Sequence, residues 1–119
     1  MAAILIVEDD GDVAALLRIR LEAGGHAVLL APDGEAGLAM ASRGRVDLVI
    51  LDWMLPGRTG IEVCQALRSD PGFQGRILML TARANEADRQ QAAAAGADEF
   101  ITKPFSPREL VARVAGLLT

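Results

Sequence analysis

The sequence contains only one cysteine and one histidine, and it has neither a long apolar run nor an excess of basic residues. One cysteine cannot form a disulfide within the chain, so a reducing, cytoplasmic environment is the simplest expectation. No apolar run approaches the roughly 20 residues that a membrane span requires. Residues 1–4 lack the basic segment of a signal peptide. The net charge of −4 argues against tight nucleic-acid binding by this chain.

Several common catalytic motifs are also absent from the sequence. Acidic residues, rather than a glycine-rich phosphate loop, follow the first apolar run, and no Walker-type motif occurs. These two absences disfavour a dinucleotide-binding enzyme and an NTPase. His26 lies next to a glycine pair and is expected to be an ordinary loop residue. Cys64 is expected to be a small buried apolar residue within a helix.

The chain does contain enough apolar sequence, 51% of its 119 residues, to build the core of one domain. Five short apolar runs alternate with five helical patterns. The runs are residues 4–7, 27–30, 48–51, 77–80 and 100–101. Because β-α units in series need right-handed crossovers, this order predicts a mostly parallel sheet with helices on both faces. We expect a single α/β domain over residues 1–119.

Chemically active side chains follow the predicted strands where each strand ends. They are Glu8, Asp9 and Asp10 after the first strand, Asp52 after the third, Thr81 after the fourth and Lys103 after the fifth. Ligands of open parallel sheets bind at this edge, so we expect these groups to converge. Carboxylates about 4 Å apart repel by roughly 4 kcal/mol at an effective dielectric near 20, and a proton, a cationic side chain or a metal must neutralise them. Oxygen ligands with retained waters favour Mg²⁺.

Four sequence segments carry a family resemblance. They are residues 4–10 (ILIVEDD), 51–57 (LDWMLPG), 80–83 (LTAR) and 96–105 (GADEFITKPF). In this order and at this spacing they resemble the receiver domain of two-component response regulators, over the whole chain. The resemblance implies a flavodoxin-like (βα)5 three-layer sandwich with strand order 2-1-3-4-5. It also implies a switch that is set when a histidine kinase phosphorylates an aspartate.

The resemblance assigns Asp52 as the residue that accepts the phosphoryl group. It assigns Asp9 and Asp52 as direct ligands of Mg²⁺, and the backbone carbonyl of Met54 as the third protein ligand. Glu8 completes the acidic pair and, where many members carry aspartate, is expected to hold the metal through water. Bound Mg²⁺ would offset the repulsion among the carboxylates and stabilise the transferred oxygens.

The same resemblance assigns the moving parts of the switch. Thr81 and Lys103 are expected to bind the new phosphoryl oxygens, and inward movement of Thr81 is expected to let Phe100 turn. Phe100 stands where many members carry tyrosine, so no aromatic hydroxyl is present at this position. The bond between Lys103 and Pro104 would be cis in the family.

The segments 51–60 and 103–113 look most like the transcriptional branch of the family, whose members carry winged-helix output domains. In that branch the fourth helix, fifth strand and fifth helix form the face of a symmetric dimer on phosphorylation. The positions matching its ion pairs are Arg89, Asp98, Glu99, Glu109 and Arg113. The fourth helix, predicted over residues 85–95, has no large aliphatic side chain, so Ala87 and residues 92–95 must anchor it, and we expect weak docking.

Two alternatives remain open from the sequence. The chain is either part of a longer regulator or a free-standing receiver that acts by docking to other proteins. A Mg²⁺-dependent phosphatase of the haloacid-dehalogenase type also uses an aspartate, a threonine and a lysine. That class needs a second acid two residues after the nucleophile, where Met54 stands. We therefore expect a phosphoacceptor, not an enzyme that turns over other substrates.

Overall fold

Strands and helices alternate along the residues that the computed structural model describes, 1–82 and 85–119. The elements are β1 (Ala3–Val7), α1 (Gly11–Ala23), β2 (Ala27–Ala31), α2 (Gly34–Arg43), β3 (Leu48–Asp52), α3 (Gly60–Ser69), β4 (Arg76–Thr81), α4 (Glu86–Ala95), β5 (Glu99–Thr102) and α5 (Pro107–Leu118). The strands form one parallel sheet in the order β2-β1-β3-β4-β5. The predicted (βα)5 arrangement and its strand order are confirmed.

The sheet separates two apolar layers, because successive strand side chains point to opposite faces. One layer packs strand residues such as Leu5 and Val49 against α2, α3 and α4. The other packs residues such as Ile4 and Ile50 against α1 and α5. β3 is buried at every position, as its continuous apolar run predicts for the central strand of a parallel sheet. The result is the predicted three-layer sandwich.

Each helix begins at a short polar side chain that accepts a backbone N–H from the first turn. These N-cap residues are Asp10, Asp33, Thr59, Asn85 and Ser106. At α3 the side chains of Thr59 and Glu62 form a capping box, as the threonine-x-x-glutamate spacing of the sequence predicts: Glu62 N–H donates to Thr59 Oγ1, and Thr59 N–H donates to the Glu62 carboxylate. The caps fix the helix starts just beyond the strand ends, at the edge of the sheet that carries the acidic residues.

Two helices differ from the prediction in the face that they bury. In α1 the sequence pattern predicts one buried stripe of Val13, Leu16, Leu17 and Leu21, but Leu16 is 44% exposed, and Ala14 is buried instead. In α4 the prediction holds for Ala92 and Ala95 but is wrong for Ala87 and residues 93–94, which are exposed. Positions 88, 92 and 95 lie on one side of a helix of 3.6 residues per turn, so Asp88 takes the third buried place. α4 is therefore anchored by fewer apolar atoms than predicted.

No helix in the described part of the chain is long and apolar enough to cross a membrane.

Candidate functional site

Three predicted carboxylates meet at the carboxyl edge of the sheet. Oxygens of Glu8, Asp9 and Asp52 lie within 4.8 Å of one another. Glu8 and Asp52 are buried, with 3% and 4% of their surfaces exposed, whereas Asp9 is exposed. They meet because Glu8 and Asp9 directly follow β1 and Asp52 ends β3, which is the hydrogen-bonded neighbour of β1. Oxygen ligands from carboxylates fit a hard divalent cation such as Mg²⁺.

Lys103 provides a positive charge against these carboxylates. Its Nζ lies 3.2 Å from Asp52 Oδ2 and 3.4 Å from Glu8 Oε1. Burial lowers the pKa of the Lys103 amine, but the negative charges of Asp52 and Glu8 outweigh burial and raise the pKa above its usual range. One ammonium cannot balance three ionised carboxylates, so the cluster attracts further positive charge, from a proton or a cation.

Glu8 holds a proton more readily than an ordinary glutamate does. Burial, followed by the hydrogen bond to Asp52 and the negative charge of Asp52, raises the pKa of Glu8 to about 7. The N–H of Asp10 and the charge of Lys103 oppose this rise. A divalent cation favours the ionised carboxylate and would therefore compete with the proton on Glu8.

The two predicted switch residues are Thr81 on β4 and Phe100 on β5. These strands lie on the opposite side of β3 from β1. Thr81 ends β4 and is 2% exposed, and its backbone carbonyl accepts the N–H of Lys103 at 2.6 Å. Asp52 pairs in register with Leu80, so Thr81 stands one residue beyond Asp52 on the neighbouring strand. Phe100 is half-buried on β5, and the guanidinium carbon of Arg89 lies 4.7 Å from its ring centroid.

The loop after β3 brings the start of α3 close to Asp52. A Cβ at Gly60 would lie 2.5 Å from the backbone oxygen of Asp52, so only glycine allows this approach without movement. Met54 N–H donates to Asp52 Oδ1 at 3.3 Å, and the Met54 side chain is 66% exposed. The peptide bond between Lys103 and Pro104 is cis. Arg83, which belongs to one of the four sequence segments, lies outside the described residues.

An apolar groove beside Lys103 was not predicted from the sequence. It has a volume of about 490 Å³ and is lined by Val13, Leu16, Leu17, Ala82, Lys103, Pro104, Phe105 and Pro107. The available signal was the apolar stripe on α1, which places Val13, Leu16 and Leu17 on one helix face, although only Leu17 of the three is fully buried. The surplus side chain, Leu16, borders the groove.

The five residues predicted for a dimer face make contacts within the chain. Arg113 Nη1 lies 2.6 Å from Glu99 Oε1, and Arg113 Nη2 lies 3.9 Å from Glu109 Oε2. Asp98 lies between Arg68 and Arg76, at 2.6 and 3.3 Å, and its carboxylate also accepts the N–H of Ile77. Arg89, the fifth residue, lies over the Phe100 ring.

This (βα)5 sheet, with an acidic cluster, a hydroxyl and a lysine along its carboxyl edge, defines a receiver-type signalling domain. The family model for the response regulator receiver domain matches residues 4–115, and the chain belongs to this family. The resemblance stated from the four sequence segments is confirmed.

Individual proteins support the same assignment. The chain is 46% identical over 115 residues to the alkaline phosphatase synthesis transcriptional regulatory protein PhoP of Bacillus subtilis, covering 97% of this chain and 48% of PhoP. The chemotaxis response regulator CheY4 of Vibrio cholerae has a TM-score of 0.95 at 33% identity, over 99% of both chains. The receiver domain of the sensor histidine kinase PA1611 of Pseudomonas aeruginosa PAO1, with a magnesium ion coordinated in its active site cleft, has a TM-score of 0.88 at 30% identity, over 98% of this chain and 97% of that one. The chain spans about half the length of the curated relatives that it matches.

Proposed function

We propose that residues 1–119 form one phosphorylation-switched receiver domain in which Asp52 accepts a phosphoryl group from a histidine kinase. The observation that carries this proposal is the position of Asp52, buried 3.2 Å from Lys103 within a cluster that also contains Glu8 and Asp9. A carboxylate held among carboxylates, next to one ammonium, is suited to work with a bound cation. The domain is a phosphoacceptor and at most catalyses its own phosphorylation and dephosphorylation.

Mg²⁺ is the proposed cofactor. Asp9, Asp52 and the backbone carbonyl of Met54 would hold it, with Glu8 acting through water, and bound Mg²⁺ would neutralise charge on the transferring oxygens. The oxygen-only donor set supports this choice of metal. The magnesium ion in the PA1611 receiver, which shares this fold, supports it independently.

In the proposed transfer, one oxygen of Asp52 forms a bond to phosphorus while the phosphorus–nitrogen bond of the donor histidine breaks. The donor imidazole leaves and takes up a proton from solvent. Lys103 is already within 3.2 Å of Asp52 and would pair with an oxygen of the transferred group, which is a charge-assisted contact. The hydroxyl of Thr81, on the neighbouring strand, would bind a second oxygen.

A protein donor fits the surface around the site. The apolar groove beside Lys103 is bordered by Ala82, next to Thr81, and by Leu16, which is 44% exposed. A kinase that presents its phosphohistidine to Asp52 would cover this groove and gain apolar contact area. The site therefore favours transfer between docked proteins. We propose that this transfer takes place in the cytoplasm, where histidine kinases present their phosphorylated domains.

We further propose that phosphorylation draws Thr81 inward, lets Phe100 turn and changes the face formed by α4, β5 and α5. In the phosphorylated state this face would form a homodimer through Arg89, Asp98, Glu99, Glu109 and Arg113. Each exposed ion pair contributes only up to about 1 kcal/mol, so the dimer depends on the switched arrangement. In a longer protein with a winged-helix domain the dimer would control transcription, while this domain, with its net charge of −4, makes no DNA contact itself.

Phosphoryl incorporation from acetyl phosphate tests this function. We expect the intact mass to rise by one phosphoryl group in Mg²⁺ and not in EDTA. Asp52→Asn should remain unmodified, whereas the control Asp10→Asn, which keeps the N-cap of α1, should behave as wild type. Equal incorporation in Asp52→Asn, or incorporation that ignores Mg²⁺, contradicts the proposal.

A further inference from the structure

Phe100 is held by arginines from the two helices on either side of β5. The Arg89 guanidinium from α4 lies over the ring, with its central carbon 4.7 Å from the ring centroid. Arg113 from α5 donates to the Phe100 backbone carbonyl at 3.4 Å and to Glu99 at 2.6 Å. The contact of Arg113 holds the backbone of Phe100. Phe100 can then move mainly by rotation about its side-chain bonds. The contact of Arg89 opposes that rotation.

Apart from the contact with Arg89, the ring packs against the apolar layer formed with α2, α3 and α4. As a phenylalanine it has no hydroxyl, so no hydrogen bond can fix its half-buried position. A guanidinium over an aromatic face is attracted by the ring quadrupole, and the attraction is lost when the ring turns away. Arg89 belongs to α4, which buries only Asp88, Ala92 and Ala95, so the contact also ties a lightly anchored helix to β5.

We propose that Arg89 is a latch that holds the Phe100 ring in its half-exposed position and thereby restrains the switch before phosphorylation. This inference rests on the proposed function, in which Phe100 turns on phosphorylation. Turning of Phe100 withdraws the ring face from the Arg89 guanidinium, so the turn of Phe100 and the release of Arg89 favour each other.

The groove that contains this contact shows why Arg89 is the restraint. Its volume is about 350 Å³, and its charged lining residues are Glu86, Arg89, Asp98 and Glu99. Asp98 is engaged by Arg68, and Glu99 is engaged by Arg113. Arg89 is thus the cationic side chain of the groove that contacts the ring. Removing it leaves the ion pairs of Asp98 and Glu99 in place.

The latch is tested with beryllofluoride, a phosphoryl mimic, added with saturating Mg²⁺ to wild type, Arg89→Ala and Gln90→Ala. Gln90→Ala is the matched control, because residue 90 is the exposed neighbour on α4 and gains the same helix propensity from alanine. Trp53, the only tryptophan, is buried directly after Asp52 and reports binding by its fluorescence. We expect Arg89→Ala to bind beryllofluoride about two- to fivefold more tightly than wild type, because a restraint on the binding-competent state is removed. Gln90→Ala should match wild type.

A second measurement follows the ring directly. The chain has three phenylalanines, so labelling with 4-fluorophenylalanine gives three ¹⁹F resonances, and Phe100→Leu identifies the one of interest. In Arg89→Ala without beryllofluoride, this resonance should move toward its position in the saturated wild type. The latch is overturned if Arg89→Ala and Gln90→Ala bind beryllofluoride equally tightly, or if the Phe100 resonance does not move. Either result leaves the proposed function intact. A wild type that does not bind beryllofluoride in Mg²⁺ overturns both.

Discussion

Lys103 Nζ lies 3.2 Å from Asp52 Oδ2, although β4 separates β3, which ends at Asp52, from β5, which ends just before Lys103. The lysine reaches over the end of β4, where Thr81 is located, and its ammonium stands beside the acid of the proposed switch. The ammonium offsets part of the charge of the acidic cluster before phosphorylation. The same position would let it pair with the phosphoryl group afterwards.

Glu8→Gln should make the stability of the metal-free chain less dependent on pH. The pKa of Glu8 in the folded chain, about 7, lies above the value of 4.5 that is usual for a glutamate carboxyl. The stabilising contribution of its proton is therefore full below pH 4.5 and is lost as the pH rises through 7. Glutamine does not titrate. As the pH rises from 4.5 to 8, the wild type should therefore lose on the order of 1–3 kcal/mol of unfolding free energy that the variant keeps. Urea titrations in EDTA measure the difference, and two parallel pH profiles would show that burial does not favour the protonated form.

Mg²⁺ should raise the unfolding temperature of the wild type, more at pH 8 than at pH 6. A cation that binds the native acidic cluster but not the unfolded chain stabilises the fold by mass action, and at pH 6 the proton on Glu8 competes with it. Asp9→Ala, which removes the exposed carboxylate of the cluster, should respond weakly, and Asp10→Asn should respond as wild type. Thermal unfolding with graded MgCl₂ tests this. An equal rise in Asp9→Ala would place the cation elsewhere.

The pKa of Lys103 should fall in Asp52→Asn. The negative charge of Asp52 is the largest influence that raises this pKa, while burial lowers it. Lys103 is the only lysine in the sequence, so selective ¹³C labelling gives a single Cε resonance to follow against pH. Asp70→Asn, at the half-buried C-cap of α3, is the control and should leave the titration unchanged. A titration that Asp52→Asn does not alter would mean that the pair does not exist in solution.

Gly60→Ala should destabilise the chain by about 1–3 kcal/mol, because the new Cβ would meet the backbone of β3 next to Asp52. Gly116→Ala is the opposite case. A Cβ there has no atom within 4 Å, and residue 116 lies within α5, so we expect a gain of about 0.5–1 kcal/mol. Chemical denaturation of both variants measures the two signs. An unchanged unfolding free energy in Gly60→Ala would show that the fold does not need the close approach of α3 to Asp52.

The alternation of strands and helices and the meeting of the acidic residues could be predicted, because they follow from the order of apolar runs and from which residues end each strand. The strand order 2-1-3-4-5 came from the family resemblance. The buried faces of α1 and α4 could not be predicted fully. Neighbouring leucines at 16 and 17 are equally apolar in sequence, and only the packing decides that Leu17 is buried. The contacts of Asp98 with Arg68 and Arg76 join three separate segments and leave no local pattern. The raised pKa of Glu8 depends on depth of burial, which its sequence neighbours do not encode.

Chemical trapping of the phosphorylated residue tests the assignment of Asp52 most directly. After reaction with acetyl phosphate and Mg²⁺, borohydride reduces an aspartyl phosphate to homoserine, and peptide mass spectrometry locates the altered residue. We predict homoserine at position 52 alone, with none after omission of Mg²⁺. Homoserine at position 9 or 10, or none at all in a chain that has taken up phosphate, would contradict the assignment.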